Sequence, residues 1–181
     1  MIRPLALTLL AVPVLAASAP AQTAALDPAQ VALVAKAKRL GATDVTATPA
    51  PDGGITLGGK LEGDQFAVAF PRGWKGEALV YAHGYSTPGT PVAVAADPVK
   101  ERTGGGIIAT AYRDGVAAGH SAYDKDGLGV ENGAHNTKRL RDFLVRLGAK
   151  RVYVAGDSMG GGIGLAALIE GLPVERAVFS A

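Results

Sequence analysis

Ser158 is the residue whose setting most clearly suits it for chemistry. It stands in Gly156-Asp-Ser-Met-Gly160, a G-x-S-x-G string, after a β-branched and aromatic run at 152–154. An Ala- and Leu-rich stretch at 163–170 follows and is closed by Gly171. The run reads as a buried strand and the stretch as a helix with its terminating glycine. A serine between strand and helix is presented by a sharp turn, the nucleophile elbow. Its backbone must be strained for the hydroxyl to project above the sheet edge. Side chains two residues to either side would collide with that turn, so Gly156 and Gly160 keep the space open. The helix that follows offers free N–H groups and a positive dipole end where an oxyanion would form. The chemistry this predicts is attack on a carbonyl.

The elements that must position Ser158 follow from the rest of the chain. Residues 29–40 carry apolar positions at helical spacing (Val31, Leu33, Val34, Ala37, Leu40), and Asp27-Pro28 supplies a cap and first turn. This reads as a lead-in helix outside the catalytic core, ended by Gly41. Strand-like pieces over 45–61 are separated by Asp52-Gly53-Gly54, a hairpin signal, and 65–70 alternates like a further strand. The continuous apolar run 78–82 is expected of a strand buried on both faces and leads straight into His83-Gly84-Tyr85. A glycine-bearing loop at the carboxyl end of a central strand is where an α/β sheet places its site.

Beyond it, 103–106 and 107–114 predict a short helix stopped by Gly115, and 116–123 the next strand. Residues 131–147 form the clearest helix, with Leu140, Phe143, Leu144 and Leu147 on one stripe and Lys138, Arg139 and Arg141 opposite. A last strand is expected over 173–181. Strand and helix alternate through this half, which predicts an α/β fold: a mostly parallel sheet with flanking helices after an antiparallel β lead-in.

Composition narrows the class. The chain has 181 residues, 48% of them hydrophobic, with 25 Gly and 11 Pro, which suits one loop-punctuated globular domain. The net charge is +2 with no long block of one sign, which argues against nucleic acid as a partner. The N-terminus reads as an export signal over 1–21: Arg3, then an apolar stretch over 5–16 broken by Pro13, then Ala19-Pro20-Ala21 as cleavage site. The apolar run is too short for a membrane span. The expected organisation is therefore a signal peptide at 1–21, a lead-in segment at 22–44 and the main domain at 45–181, exported to the periplasm or the medium. No integral membrane segment is expected once the signal is removed. With no Cys there is no disulfide, thiolate metal site or cysteine nucleophile.

Three stretches occur in the order of a known family: Tyr81-Ala-His-Gly-Tyr85, then 112–123 with His120, then 152–161 with the serine. Together they resemble the α/β-hydrolase superfamily, in particular its secreted bacterial esterase and prolyl-oligopeptidase-like branches, from about Ile55 onward. The resemblance implies Ser158 as the nucleophile of acyl transfer, with backbone N–H groups of Met159 and Tyr85 as the oxyanion hole. It implies that His83 and Gly84 support the Tyr85 loop, that Asp157 is a turn or supporting residue rather than the triad acid, and that no cofactor is needed. The implied partner is a small-molecule or polymeric ester, with an amide or peptide as the alternative on the same machinery. The chain departs from the pattern in one respect. The family order is Ser, then an acid, then His, yet only Glu170, Glu175 and no histidine follow Ser158. A serine hydroxyl without a base is a poor nucleophile. The expectation is an N-terminal fragment of a longer enzyme, weakly active alone. The rival from another class is an exported pseudo-hydrolase or binding domain that kept the pocket and lost the base.

The three histidines are weaker candidates. His83 belongs to its loop, His120 and Ser121 to a strand, and His135 to an exposed helix face, and their scatter gives no metal site. Gly162-x-Gly164-x-x-Ala167 resembles a dinucleotide fingerprint, but it begins after the serine turn instead of at the strand end.

Overall fold

The computed structural model describes residues 25–91 and 93–180; the expected export signal lies outside them. Helix α1 (Pro28–Arg39) opens with the capping box that Asp27 and Gln30 permit, and with Pro28 in its first turn. Strands β1 (Thr43–Pro49), β2 (Ile55–Leu61) and β3 (Asp64–Phe70) form an antiparallel meander. Strand β4 (Glu77–Ala82) follows, then a 3-10 turn at Thr103–Gly106, α2 (Ile107–Arg113) and β5 (Ala117–Ser121). The order continues with α3 (Val130–Leu147), β6 (Arg151–Asp157), α4 (Met159–Ile169) and β7 (Arg176–Ser180).

One seven-stranded sheet results, in the order β1-β2-β3-β5-β4-β6-β7. The strands β5, β4, β6 and β7 run parallel, and the first three supply the antiparallel lead-in. This is the α/β architecture that the alternation predicted. Apolar residues alternate across the central strands, as a two-layered cover requires. Ala78 and Val80 of β4 and Val152 and Val154 of β6 join the larger cluster, with Leu140, Phe143, Leu144 and Leu147 of α3. Tyr81 and Ala155 face the other way, onto Ile108 of α2.

Three details differ from the sequence reading. The lead-in helix is part of the body: Ala37 is fully buried in the larger cluster, and Lys36 Nζ donates to the Leu147 carbonyl at 3.1 Å. Arg139 is folded back onto the β2–β3 turn, paired with Glu62 at 2.9 Å and Asp64 at 2.8 Å. Helix α4 begins at Met159, four residues earlier than propensity suggests, because Gly160 and Gly161 are held by close tertiary contacts.

Where backbones meet, glycine is required. A Cβ on Gly119 in β5 would lie 2.1 Å from the Ala67 carbonyl oxygen and 2.6 Å from Val68 Cα. Gly162, exposed on α4, has nothing within 4 Å of the same position. Gly119→Ala should therefore cost roughly 1–3 kcal/mol or prevent folding, as overpacking does. Gly162→Ala should gain about 0.5–1 kcal/mol through lower unfolded-state entropy. Urea unfolding midpoints of the two variants check the pair.

Candidate active site

Strand β6 ends at Asp157 and α4 begins at Met159, leaving Ser158 alone to reverse the chain. It does so at φ 52° and ψ −130°, a region costly for a residue with a Cβ. Its N–H donates to the Ser180 carbonyl at 3.0 Å, and its own carbonyl accepts from Gly161 at 3.0 Å. The side chain is exposed and does not cap the helix. The strain thus turns the hydroxyl outward, with no competing local hydrogen bond to the helix.

The two flanking glycines are sterically forced. A Cβ on Gly156 would lie 2.3 Å from the Gly160 carbonyl oxygen; one on Gly160 would lie 2.0 Å from that of Ala82 and 2.9 Å from that of His83. The elbow therefore rests directly on the end of β4. A Cβ on Gly84 would sit 3.8 Å from the Asp157 carbonyl oxygen and 3.9 Å from Ser158 Cβ, so the His83-Gly84-Tyr85 loop passes close enough that one added carbon would touch the serine. The ring of Tyr85 is 52% exposed. Met159 carries the first N–H of α4, which has no acceptor within the helix. The structure therefore brings together Ser158, Met159 and the Gly84–Tyr85 backbone at one sheet edge.

A polar layer beneath them was not visible in the sequence. Tyr81, 2% exposed, donates its hydroxyl to the Asp157 carboxylate and is crowded by Gly104, whose positive φ of 63° leaves no room for a side chain. Burial, then the Asp157 hydrogen bond and charge, push the Tyr81 phenol up out of the ordinary range. Tyr123 donates to the His83 carbonyl at 2.9 Å, and its ring stacks on the His83 imidazole at a centroid distance of 3.9 Å. His83 Nδ1 lies 3.0 Å from the Gly84 carbonyl oxygen. Behind it, His120 is buried, with Nδ1 3.5 Å from Glu101 Oε2. The one available signal was chemical: a tyrosine at a buried strand end needs a partner for its hydroxyl.

The remaining candidates lie elsewhere. Glu170 caps the far end of α4, its carboxylate 3.5 Å from Lys138, and Glu175 lies in the connection to β7, its N–H on the Val152 carbonyl. His135 is exposed on α3. Ser121 Oγ is buried, 3.4 Å from the Asn136 carbonyl oxygen. Gly164 receives the Phe179 ring, 2.1 Å from where its Cβ would be, so that glycine serves packing rather than a dinucleotide. Among the described residues, no group of three or more His, Cys, Asp or Glu is arranged to hold a metal ion, and no helix is long and apolar enough to cross a membrane.

No protein-family model matches the sequence, and a search of curated proteins gives no match either. Solved structures do match. A cold-adapted esterase from an Arctic intertidal metagenomic library is similar with a TM-score of 0.51 at 14% identity, over 74% of this chain and 63% of that one. EstE7, described as an HSL homologue from a metagenome library, gives 0.50 at 18% identity over 83% and 49% of the two chains. EstE5, in a crystal soaked with p-nitrophenyl butyrate, gives 0.50 at 21% identity over 90% and 52%. The chain thus spans about half to just under two thirds of the length of these structures. It has the α/β-hydrolase fold.

Burial lowers the pKa of His83 and His120 below the ordinary imidazole value of 6.5, against opposing pulls from the Gly84 carbonyl and Glu101. Both are therefore neutral in the folded state over a range in which the unfolded chain binds protons. Stability should rise with pH between their lowered folded values and about 6.5, by up to roughly 1.4 kcal/mol per pH unit for each histidine. Acidification from pH 7 to pH 5 should lower the thermal midpoint, and His120→Gln should flatten that slope.

Proposed function

We propose that Ser158 is the nucleophile of a serine hydrolase acting on a carboxylic ester, with Met159 and Tyr85 N–H groups receiving the oxyanion. The observation that carries this reading is the exposed hydroxyl at φ 52° on a strand-to-helix turn, with the Gly84–Tyr85 backbone alongside. In the acyl step Ser158 Oγ bonds the carbonyl carbon, the ester C–O bond breaks, and the serine proton leaves on the alcohol. Two N–H donors aimed at the developing charge are worth a few kcal/mol each. Esterase names among the structural neighbours agree with an ester, and an amide would use the same groups. Export, which the pattern of residues 1–21 motivates, forms part of the proposal.

Turnover also requires a base. None of the three histidines hydrogen-bonds Ser158 among the described residues; His83 is engaged by Gly84, Tyr123 and the chain beneath it. That observation favours a second reading, a binding domain that keeps the crevice without catalysis. One experiment separates the two. Incubated with a fluorophosphonate, the folded protein should become phosphonylated at Ser158, Oγ displacing fluoride, and Ser158→Ala should abolish the adduct by mass spectrometry. A folded protein that shows no adduct after prolonged exposure supports the binding domain.

A further inference from the structure

A cavity of about 260 Å³ opens beside the elbow, lined by His83, Tyr85, Ser86, Val94, Glu101 and His120 among others. Its polar groups are unbalanced. His83 Nδ1 faces the Gly84 carbonyl and the ring also meets that of Ser121; His120 Nδ1 faces Glu101 and its ring the carbonyl of Ala95. A neutral imidazole has one N–H and one lone pair. With each proton on Nδ1, where a carbonyl or carboxylate accepts it, each Nε2 presents a lone pair. Both Nε2 atoms are buried without a hydrogen-bond partner, and the His120 side chain is only 2% exposed. The lining hydroxyls of Tyr85 and Ser86 do not make good the deficit, since neither is hydrogen-bonded to an imidazole Nε2. Two unpaired imidazole acceptors therefore border a space that holds one carboxylate and no Lys or Arg among its lining residues.

An unpaired buried acceptor costs about 1–3 kcal/mol. Protonating the imidazoles would relieve it, and burial opposes that. A ligand that brings several N–H donors and a positive charge relieves it without titrating either ring. We propose that this cavity is a subsite for a compact primary-ammonium group, so that the substrate class is an ester or amide bearing an amino group within reach of Ser158. Its assignment to a substrate rests on the hydrolase reading above; the binding itself does not. Gly84 ties the two places together, since its carbonyl is held by His83 while its backbone lies against Ser158.

The test is an imidazole-resonance NMR titration of the 181-residue chain with ethylammonium chloride, against potassium chloride at matched ionic strength and ethanol as the neutral analogue. His83 and His120 should shift saturably with ethylammonium at millimolar concentration, and His135 should not. Glu101→Gln should weaken that binding at least tenfold while the His135 resonances and the thermal midpoint stay unchanged in the absence of ligand. Binding should also weaken as pH falls through the range in which His83 and His120 take up protons beside Glu101. Equal responses to potassium chloride or ethanol, or no saturable shift, overturn the subsite. Phosphonylation of Ser158 is read on the same samples: ethylammonium should slow it. Failure of labelling with the shifts intact removes the hydrolase reading and leaves the ammonium site standing.

Discussion

The elbow depends on one contact, the approach of Gly160 to the end of β4. With its Cβ position 2.0 Å from the Ala82 carbonyl oxygen, no other residue fits, and the start of α4 is pressed onto the strand that carries His83. That contact fixes where α4 begins. It leaves a single residue, Ser158, to turn from strand to helix, and a single residue can do so only with a positive φ. The strain costs about 1–3 kcal/mol and persists only because the surroundings over-determine it. Here they do, through Gly156 packed on Gly160 and the Ser158 N–H held by Ser180 on the neighbouring strand.

Topology explains why the second loop is at hand. From β4 the chain crosses through α2 to β5 on one side; it then crosses back through α3 to β6 on the other. Successive crossovers in opposite directions place α2 and α3 on opposite faces, provided both are right-handed. They also separate the loops leaving neighbouring strands, which opens a crevice at their carboxyl ends. His83-Gly84-Tyr85 leaves β4 and the elbow leaves β6, paired in register up to Ala82 and Gly156. The α3–α4 contact completes the support, since Ile163 packs where Gly133 has no side chain.

Much of this was legible in residue types. The period-two runs, the long α3 stripe and the glycine spacing around Ser158 are local signals, and local signals placed the strands within a few residues. The start of α4 directly after the serine was legible from the turn motif alone and not from propensity, because three glycines argue against helix until the neighbours of Gly160 and Gly161 are known. Nor was the packing of α1 on the main core legible: Ala37 lay among its apolar positions, but nothing local says which surface an amphipathic helix meets. The polar layer stayed hidden for a different reason. Tyr81 meets Asp157, Tyr123 meets His83, and His120 meets Glu101 across separations that only the sheet order closes. The absence of a histidine after Ser158 was plain from the sequence, and nothing in the fold brings His83, His120 or His135 into a hydrogen bond with it.

That polar layer also bears on the charge at the elbow. Asp157 puts a carboxylate one residue before Ser158, and two like charges a few ångströms apart repel by a few kcal/mol at an effective dielectric near 20. Uncompensated, it would offset much of what one N–H donor contributes. The buried Tyr81 hydroxyl binds that carboxylate, drawing its charge toward the α2 face and away from the turn. A lysine in the same place would neutralise the charge but pay heavily for burial, whereas a phenol supplies a donor at no charge cost. The neutral state of His83 and His120 follows the same logic. The donors that hold the elbow carry no formal charge, so the Asp157 carboxylate is the charge beside Ser158 that the field of the α4 N-terminus meets.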